Sequence, residues 1–429
     1  MDAAGAPPAA TAVERAAVAA APTVLELHNG MTLLVQPRPG APVVSTAIYF
    51  PGGRSDENSR NAGITRLMAR SLQKGTSNRT GAEIDRQIEF LGTSLGVDVS
   101  ADYFGLSLDL LSRSFPTGLE LLADLLANPT FPEDGVEAEK RLQLASIRRS
   151  FDSSTQRPLQ LAFSALYGNH PYGLPSDGFE SSLAELDAAD VRDWWTRQVG
   201  ANGAVVVVVG DIAAEAARDA VEKALGSLGR RPADTAPPAA PSSLPARLDV
   251  IEHRDRKQSA LVYAFPGITR SNPDWIQLRL LRYVTSGLAG TFFAELRGRR
   301  SLAYTVFATD SPNVHAGAFF AYIATDAAKE TEARDALLAE IRRLDEDGFT
   351  EEDLSLAQRY LAGSTRINLQ SNASRAADLA QNWLSGLPLG FTLQSVEASG
   401  QVTVEELRKV AGRYLDGDQF VLAVVRGKP

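Results

Sequence analysis

The sequence predicts an α+β protein made of two similar units, each a mainly antiparallel sheet covered by helices. Three observations carry this. The stretch GSLGRRPADTAPPAAPSSLPARLDV, beginning at Gly226, is dense in Pro, Ala and Ser and has little to bury. It reads as an extended linker that divides the chain into halves of roughly 200 and 180 residues. The halves also end alike: DAADVRDWWTRQVGANGAVVVVVGDI and VTVEELRKVAGRYLDGDQFVLAVVRGKP each pass from a capped helix to an apolar strand. Finally, EAEKRLQLASIRRSF in the first half has its counterpart in EEDLSLAQRYLAGST in the second. Strands and helices in the same order twice point to a duplicated α+β unit. The period is far too long for a solenoid.

In the first half, VLELHNGMTLLVQPRP alternates around an Asn-Gly turn and predicts a hairpin, followed by the strand PVVSTAIYFPGG. Helices are expected from about Ala62 to Gln73 and from Gly81 to Phe90. VDVSADYFGLSLDLL reads as a strand, then FPTGLELLADLLANP and EAEKRLQLASIRRSF as helices. Asp187 or Asp190 starts the helix DAADVRDWWTRQVG, and AVVVVVGDI closes the half. In the second half, the strand SALVYAFPG leads to the helix DWIQLRLLRYVTSG, which stops at Gly287. TFFAELRGRR reads as a helix and GAFFAYIATD as a strand. The helices EARDALLAEIRRLDEDG, EEDLSLAQRYLAGSTRI and TVEELRKVAGRYL then precede the strand FVLAVVRG. The expected boundaries are an N-terminal arm over 1–22, a first domain over 23–225, a linker over 226–248 and a second domain over 249–429.

Composition narrows the chemistry. The net charge of −9 and pI of about 5.2 argue against a nucleic-acid binder, which needs a basic face. No cysteine is present, so disulfides, thiolate metal sites and a cysteine nucleophile are excluded. The four histidines, His28, His170, His253 and His315, are too far apart for a local zinc motif. No run approaches the ~20 apolar residues of a membrane span. The N-terminus MDAAGAPPAATAVERAAVAAAP lacks a basic segment before an apolar core. It reads either as a flexible arm or as the start of a mature exported chain. The second reading suggests the periplasm, the first the cytoplasm.

The stretch GITRLMARSLQKGT, residues 63–76, has helical spacing between a Gly and a Lys-Gly-Thr turn. With the duplicated frame, it makes the chain resemble the pitrilysin-like M16 metallopeptidases of the M16B type, whose subunits of about 400 residues pair up. The resemblance runs from about Thr23 to Val425 and implies a fold of the LuxS/MPP-like metallohydrolase type. In that family this helix carries an inverted zinc motif, H-x-x-E-H. Here the first His falls on Arg66, the Glu on Ala69 and the second His on Arg70. The family's third ligand, a Glu, would fall near Ile147 or Arg148, and no carboxylate lies between Lys140 and Phe151. Arg is protonated and has no lone pair for a metal. At ~4 Å and an effective dielectric of ~20, one guanidinium repels a divalent cation by about 8 kcal/mol. Ala69 cannot act as a base. The resemblance therefore implies vacated zinc-site positions at Arg66, Ala69 and Arg70 and no metal in this chain. Residue by residue, RLMAR reads as a helix with Leu67 and Met68 inward and both arginines on a polar face.

The second-half stretch LRGRRSLAYTVF resembles another family element, an Arg and a Tyr seven residues apart that reach a zinc site across a domain or subunit boundary. Arg297 and Tyr304 match it. Taken alone, Arg297 reads as a cation at a helix C-terminus and Tyr304 as a half-buried strand aromatic. In the duplicated frame the functional reading is preferred: Tyr304 as a donor to the developing oxyanion and Arg297 as a clamp on the substrate backbone. Arg299 and Arg300 read as a solvated loop, and Gly287 and Gly290 as turn residues. VDVSADYFGLSL matches the family's peptide-pairing edge strand but is preferred as a core strand. His170 in GNHPYGLP reads as a turn residue.

The resemblance thus implies the non-catalytic subunit of a heterodimeric zinc peptidase. A partner with intact H-x-x-E-H would hold the zinc and hydrolyse peptides, with Arg297 and Tyr304 acting in trans. The alternative is a zinc-less structural or peptide-binding protein. A Ser-His-Asp hydrolase is disfavoured because no local nucleophile arrangement stands out.

Overall fold

The computed structural model describes residues 21–232, 241, 244, 246–415 and 418–428. The expected N-terminal arm falls outside these apart from its last two residues, as does the middle of the expected linker. In the first half the elements are β1 (Thr23–Glu26), β2 (Thr32–Pro37), β3 (Val43–Pro51), α1 (Ile64–Ser71), α2 (Gly81–Leu91), β4 (Gly96–Val99) and β5 (Tyr103–Leu111). Then come α3 (Phe115–Ala127), α4 (Glu133–Asp152), α5 (Gln156–Tyr167), α6 (Glu180–Glu185), α7 (Ala188–Gln198), β6 (Val205–Gly210) and α8 (Ala214–Leu225). The second half contains β7 (Leu248–His253), β8 (Gln258–Gly267), α9 (Trp275–Thr285), a π-helical segment (Phe293–Arg299), β9 (Thr305–Pro312) and β10 (Gly317–Asp326). It ends with α10 (Glu330–Arg342), α11 (Glu351–Asn368), α12 (Asn372–Leu384), α13 (Phe391–Ser399), α14 (Val404–Tyr414) and β11 (Val421–Arg426).

The first sheet runs β1-β2-β6-β3-β5-β4 and the second β7-β11-β8-β10-β9. In each, the last strand inserts beside the first major strand in parallel, β6 with β2 and β11 with β7, while the remaining pairs are antiparallel. Without β1, the two sheets match strand for strand. The duplication expected from sequence is therefore a duplication of topology.

Both closing strands are buried on both faces. Val206 and Val208 of β6 pack into their own half with Leu67 and Leu119, while Val205, Val207 and Val209 pack against Ala376, Leu379 and Ala380 of α12. In the second sheet, Leu422 and Val424 of β11 face their own helices, while Val421 and Ala423 face Ala162 and Leu166 of α5. Each half thus lends one helix to the other's sheet. Polar ties flank the exchange: Arg38 Nη1 donates to the Asn372 side chain, Asn372 Nδ2 to the Val43 carbonyl, and Tyr322 to the Ser154 carbonyl. A continuous valine run is what a strand covered on both faces requires. The helix that covers the far face comes from about 170 residues away in sequence and leaves no local signal.

Three expectations change. VDVSADYFGLSLDLL is a hairpin and not one strand, because Ser100 Oγ accepts the Asp102 and Tyr103 N–H groups and turns the chain. The preferred core-strand reading holds for β5 only; β4 is the sheet's edge. TFFAELRGRR forms a π-helical segment. The last residue of the expected linker, Leu248, already pairs in β7 with Val421. Helices α5, α6, α8, α12 and α13 were not anticipated.

Candidate functional site

Helix α1 begins in an unusual way. Gly63, its N-cap, has φ of 92°. The carboxylate of Glu57, almost fully buried, accepts from the Gly63 and Thr65 N–H groups at 2.7 and 3.0 Å. It satisfies two of the donors that a helix start leaves open. Burial pushes this carboxyl above its usual range, against the pull of those donors. A side chain at position 63 would place Cβ 2.6 Å from the Asp177 carbonyl, so a left-handed glycine is the fitting residue.

Leu67 and Met68 point inward and are completely buried, and Ala69 is buried as well. Arg66 and Arg70 lie on the polar face, as their i,i+4 spacing required. Each meets a carboxylate from a different element. Arg66 Nε sits 3.0 Å from Asp177 Oδ1, and Ser146 Oγ holds the other oxygen at 2.7 Å. Glu139 of α4, only 4% exposed, pairs with Lys74 at 2.6 Å and with Arg70 at 3.8 Å. The buried stripe of α4 is Val136, Glu139, Gln143 and Ile147, so two polar side chains stand where a helix normally buries apolar ones. Gln143 Nε2 spans the Gly63 and Asp177 carbonyls at 2.9 Å each. The third-ligand region contains buried Ile147, while Arg148 turns out to Glu180.

This donor set does not fit a zinc ion. The cationic side chains at 66 and 70 have no free lone pairs. The two carboxylates within reach, Asp177 and Glu139, are already neutralised by ion pairs. Among the described residues no group of three or more His, Asp or Glu is placed to hold a metal.

The Lys-Gly-Thr frame has its own structural cause. Buried Asp124 of α3 accepts from Thr76 Oγ1 at 2.7 Å, Asn78 at 2.6 Å, Asn128 at 2.9 Å and the Arg79 guanidinium at 2.5 Å. Burial alone would raise this carboxyl, but the four hydrogen bonds outweigh it and hold the carboxyl below its usual range. A depressed carboxyl stabilises the fold above its unfolded-state value, and that stability is lost as pH falls through the folded-state value. Asp124→Asn is expected to cost about 2 kcal/mol at pH 7. Urea denaturation at pH 7 and near pH 3 checks this: the gap from the native chain should narrow in acid.

In the second half, Arg297 and Tyr304 lie together on the surface. Arg297 Nη1 donates 2.9 Å to the backbone carbonyl of Tyr304, and its guanidinium lies 5.1 Å from the centre of the Phe293 ring. It fastens the strand start to the π-helical segment and does not cap its own helix. Tyr304 N–H bonds to Ala324. Tyr304 is 52% exposed, and its hydroxyl has no partner among the described residues. No hydrogen bond or ion pair joins this pair to Arg66 or Arg70. Arg299 pairs with Glu295, and Arg300 lies 3.7 Å from Glu332.

His170 is a buried turn residue whose Nδ1 accepts the Tyr172 N–H at 3.1 Å. The sequence reading missed Glu57, Asp124, Glu139, Asp177 and Arg54. Polar residues on the apolar phase of α4 were the one available signal.

Two family models match the chain. Residues 32–176 match the one described as insulinase (peptidase family M16), and residues 185–361 match the peptidase M16 inactive domain. The chain belongs to the M16 peptidase family. Similar relatives include an uncharacterized zinc protease of Mycobacterium tuberculosis, 25% identical over 417 residues, covering 95% of this chain and 94% of that protein. A protein of Helicobacter pylori named as a non-peptidase homolog is 22% identical over 386 residues, covering 89% and 88%. The fold matches a peptidase M16 inactive domain from Pseudomonas fluorescens, with TM-score 0.87, 24% identity and coverage of 96% and 98%. It also matches a Helicobacter pylori protease, with TM-score 0.88, 18% identity and coverage of 95% and 99%.

Proposed function

We propose that this M16 chain is the non-catalytic subunit of a heterodimeric zinc peptidase and completes its partner's site with Arg297 and Tyr304. The observation that carries the reading is the Tyr304 hydroxyl, exposed and unpaired, on a turn that Arg297 holds by its carbonyl. A phenol held this way is a preorganised donor. The filled site at Arg66, Ala69 and Arg70 supports assigning zinc and general base to the partner, which would carry H-x-x-E-H. The reaction is then water-mediated peptide-bond hydrolysis. In it, Tyr304 donates to the carbonyl oxygen as negative charge builds there. Arg297 commits one of its five N–H donors to the turn and keeps the others for the substrate backbone. The proposed compartment is the periplasm, supported by the Ala- and Pro-rich composition of the N-terminal stretch.

Peptidase assays of this chain, the partner and the mixture test the reading. Turnover is expected in the mixture, with none from this chain. Turnover and stoichiometric zinc in this chain alone would sink it. The second reading, a zinc-less peptide-binding protein without a role in catalysis, is favoured by the non-peptidase name of the Helicobacter relative. It predicts that the mixture is no faster than the partner alone.

A further inference from the structure

We propose that the cleft beside the vacated zinc helix binds the free α-carboxylate of a short peptide ending in an apolar residue. The cleft measures about 470 Å³ and lies between α1, α4, α5 and the loop from Leu174 to Gly178. Its charged lining consists of Arg54, Arg66 and Asp177. Asp177 is committed to Arg66 and Ser146. Arg54 has no comparable partner. Its guanidinium makes no hydrogen bond or ion pair with any described residue, and its Nε is shielded from solvent. The two carboxylates that act on it at longer range are engaged elsewhere, Glu57 by the Gly63 and Thr65 N–H groups and Asp102 by Tyr172 and the Val314 N–H.

A shielded guanidinium without a partner forgoes its strongest interaction, and a carboxylate matches its planar fork. Among the lining residues two arginines stand against one aspartate, and with Asp177 paired to Arg66 it is Arg54 that is open to a monoanion. Neutral polar groups complete the lining. The Gln160 carbonyl already accepts from Arg157 Nη1, which leaves its amide N–H groups as donors, and Gln156 lines the same wall. Ile147, Leu159, Phe163 and Leu174 supply an apolar floor beside these donors. A peptide terminus with an apolar last side chain presents both features together.

This deepens the reading of the chain as a peptide-handling subunit and rests on it, but the test needs no partner. Titration calorimetry on the full chain would compare acetyl-Ala-Ala-Leu as the free acid and as the C-terminal amide. The acid is expected to bind roughly ten- to a hundredfold more tightly, the effect of losing a charged hydrogen-bonded pair. Arg54→Met should abolish the preference. Gln156→Ala, at an exposed position that does not threaten folding, should weaken the acid several-fold. Equal binding of acid and amide, or a preference unchanged in both variants, would overturn the proposal. So would displacement of the peptide by inorganic phosphate at lower concentration. A silent Tyr304→Phe in the mixture with this preference intact defeats only the trans-catalysis reading. Normal Tyr304 dependence with no acid preference defeats only this one.

Discussion

Tyr304→Phe is expected to lower kcat of the proposed two-subunit peptidase by about 10²-fold, with KM and assembly almost unchanged. The change removes one oxygen. The ring stays, and the backbone bonds from Tyr304 to Ala324 and to Arg297 do not involve the hydroxyl. Because no described residue pairs with that hydroxyl, its removal leaves nothing unsatisfied in the free subunit. A loss confined to kcat therefore reports an interaction made in the transition state. Arg297→Met should behave differently, because it frees the turn as well as removing a donor. It is expected to lower kcat and raise KM together, with partial recovery in Arg297→Lys. Steady-state kinetics on reconstituted mixtures, with size-exclusion profiles to confirm pairing, decides the matter. Unchanged kcat in Tyr304→Phe would remove that residue from the mechanism and leave the second reading in place.

Ala380→Asp is expected to destabilise the chain by several kcal/mol, enough to prevent accumulation of folded protein at 37 °C. Ala380 is 2% exposed and packs under Val205, Val207 and Val209 of the opposite half. A carboxylate there would be buried among apolar side chains. The neighbouring Leu379→Ala, which only empties space, should cost about 2–5 kcal/mol and leave a folded chain. The informative result is how the halves respond. Their exchanged helices α5 and α12 make each half part of the other's core, so calorimetry should show both halves losing stability together. Two separate transitions, with only the first half shifted, would show that the exchange contributes little to cooperativity.

Much of the fold was legible in sequence because its signals are local. The Asn-Gly turn, the Asp187 and Asp190 capping box, and the apolar phases of α3 and α14 are each set by neighbours a few residues apart. The same holds for the polar face of α1, since Arg66 and Arg70 lie about one turn of helix apart. The rest of the site was not legible. Glu139 appeared as one charge among several in EAEKRLQLASIRRSF. In the fold, Leu142 is exposed, and Glu139 and Gln143 turn inward to meet Lys74, Arg70 and Gly63. A local stretch could not show this, because the groups that Glu139 and Gln143 meet lie in and beside α1.

By itself the sequence determined the duplication, the class of fold and the chemistry barred from residues 66–70. A guanidinium cannot ligate a metal, and no packing alters that. Only the tertiary structure decided which carboxylates neutralise those arginines, that Arg54 is left without one, and that the halves trade helices. These outcomes depend on contacts between residues tens to hundreds of positions apart. Burial and pairing energies there are set by which surfaces meet, and that information is absent from any local stretch of chain.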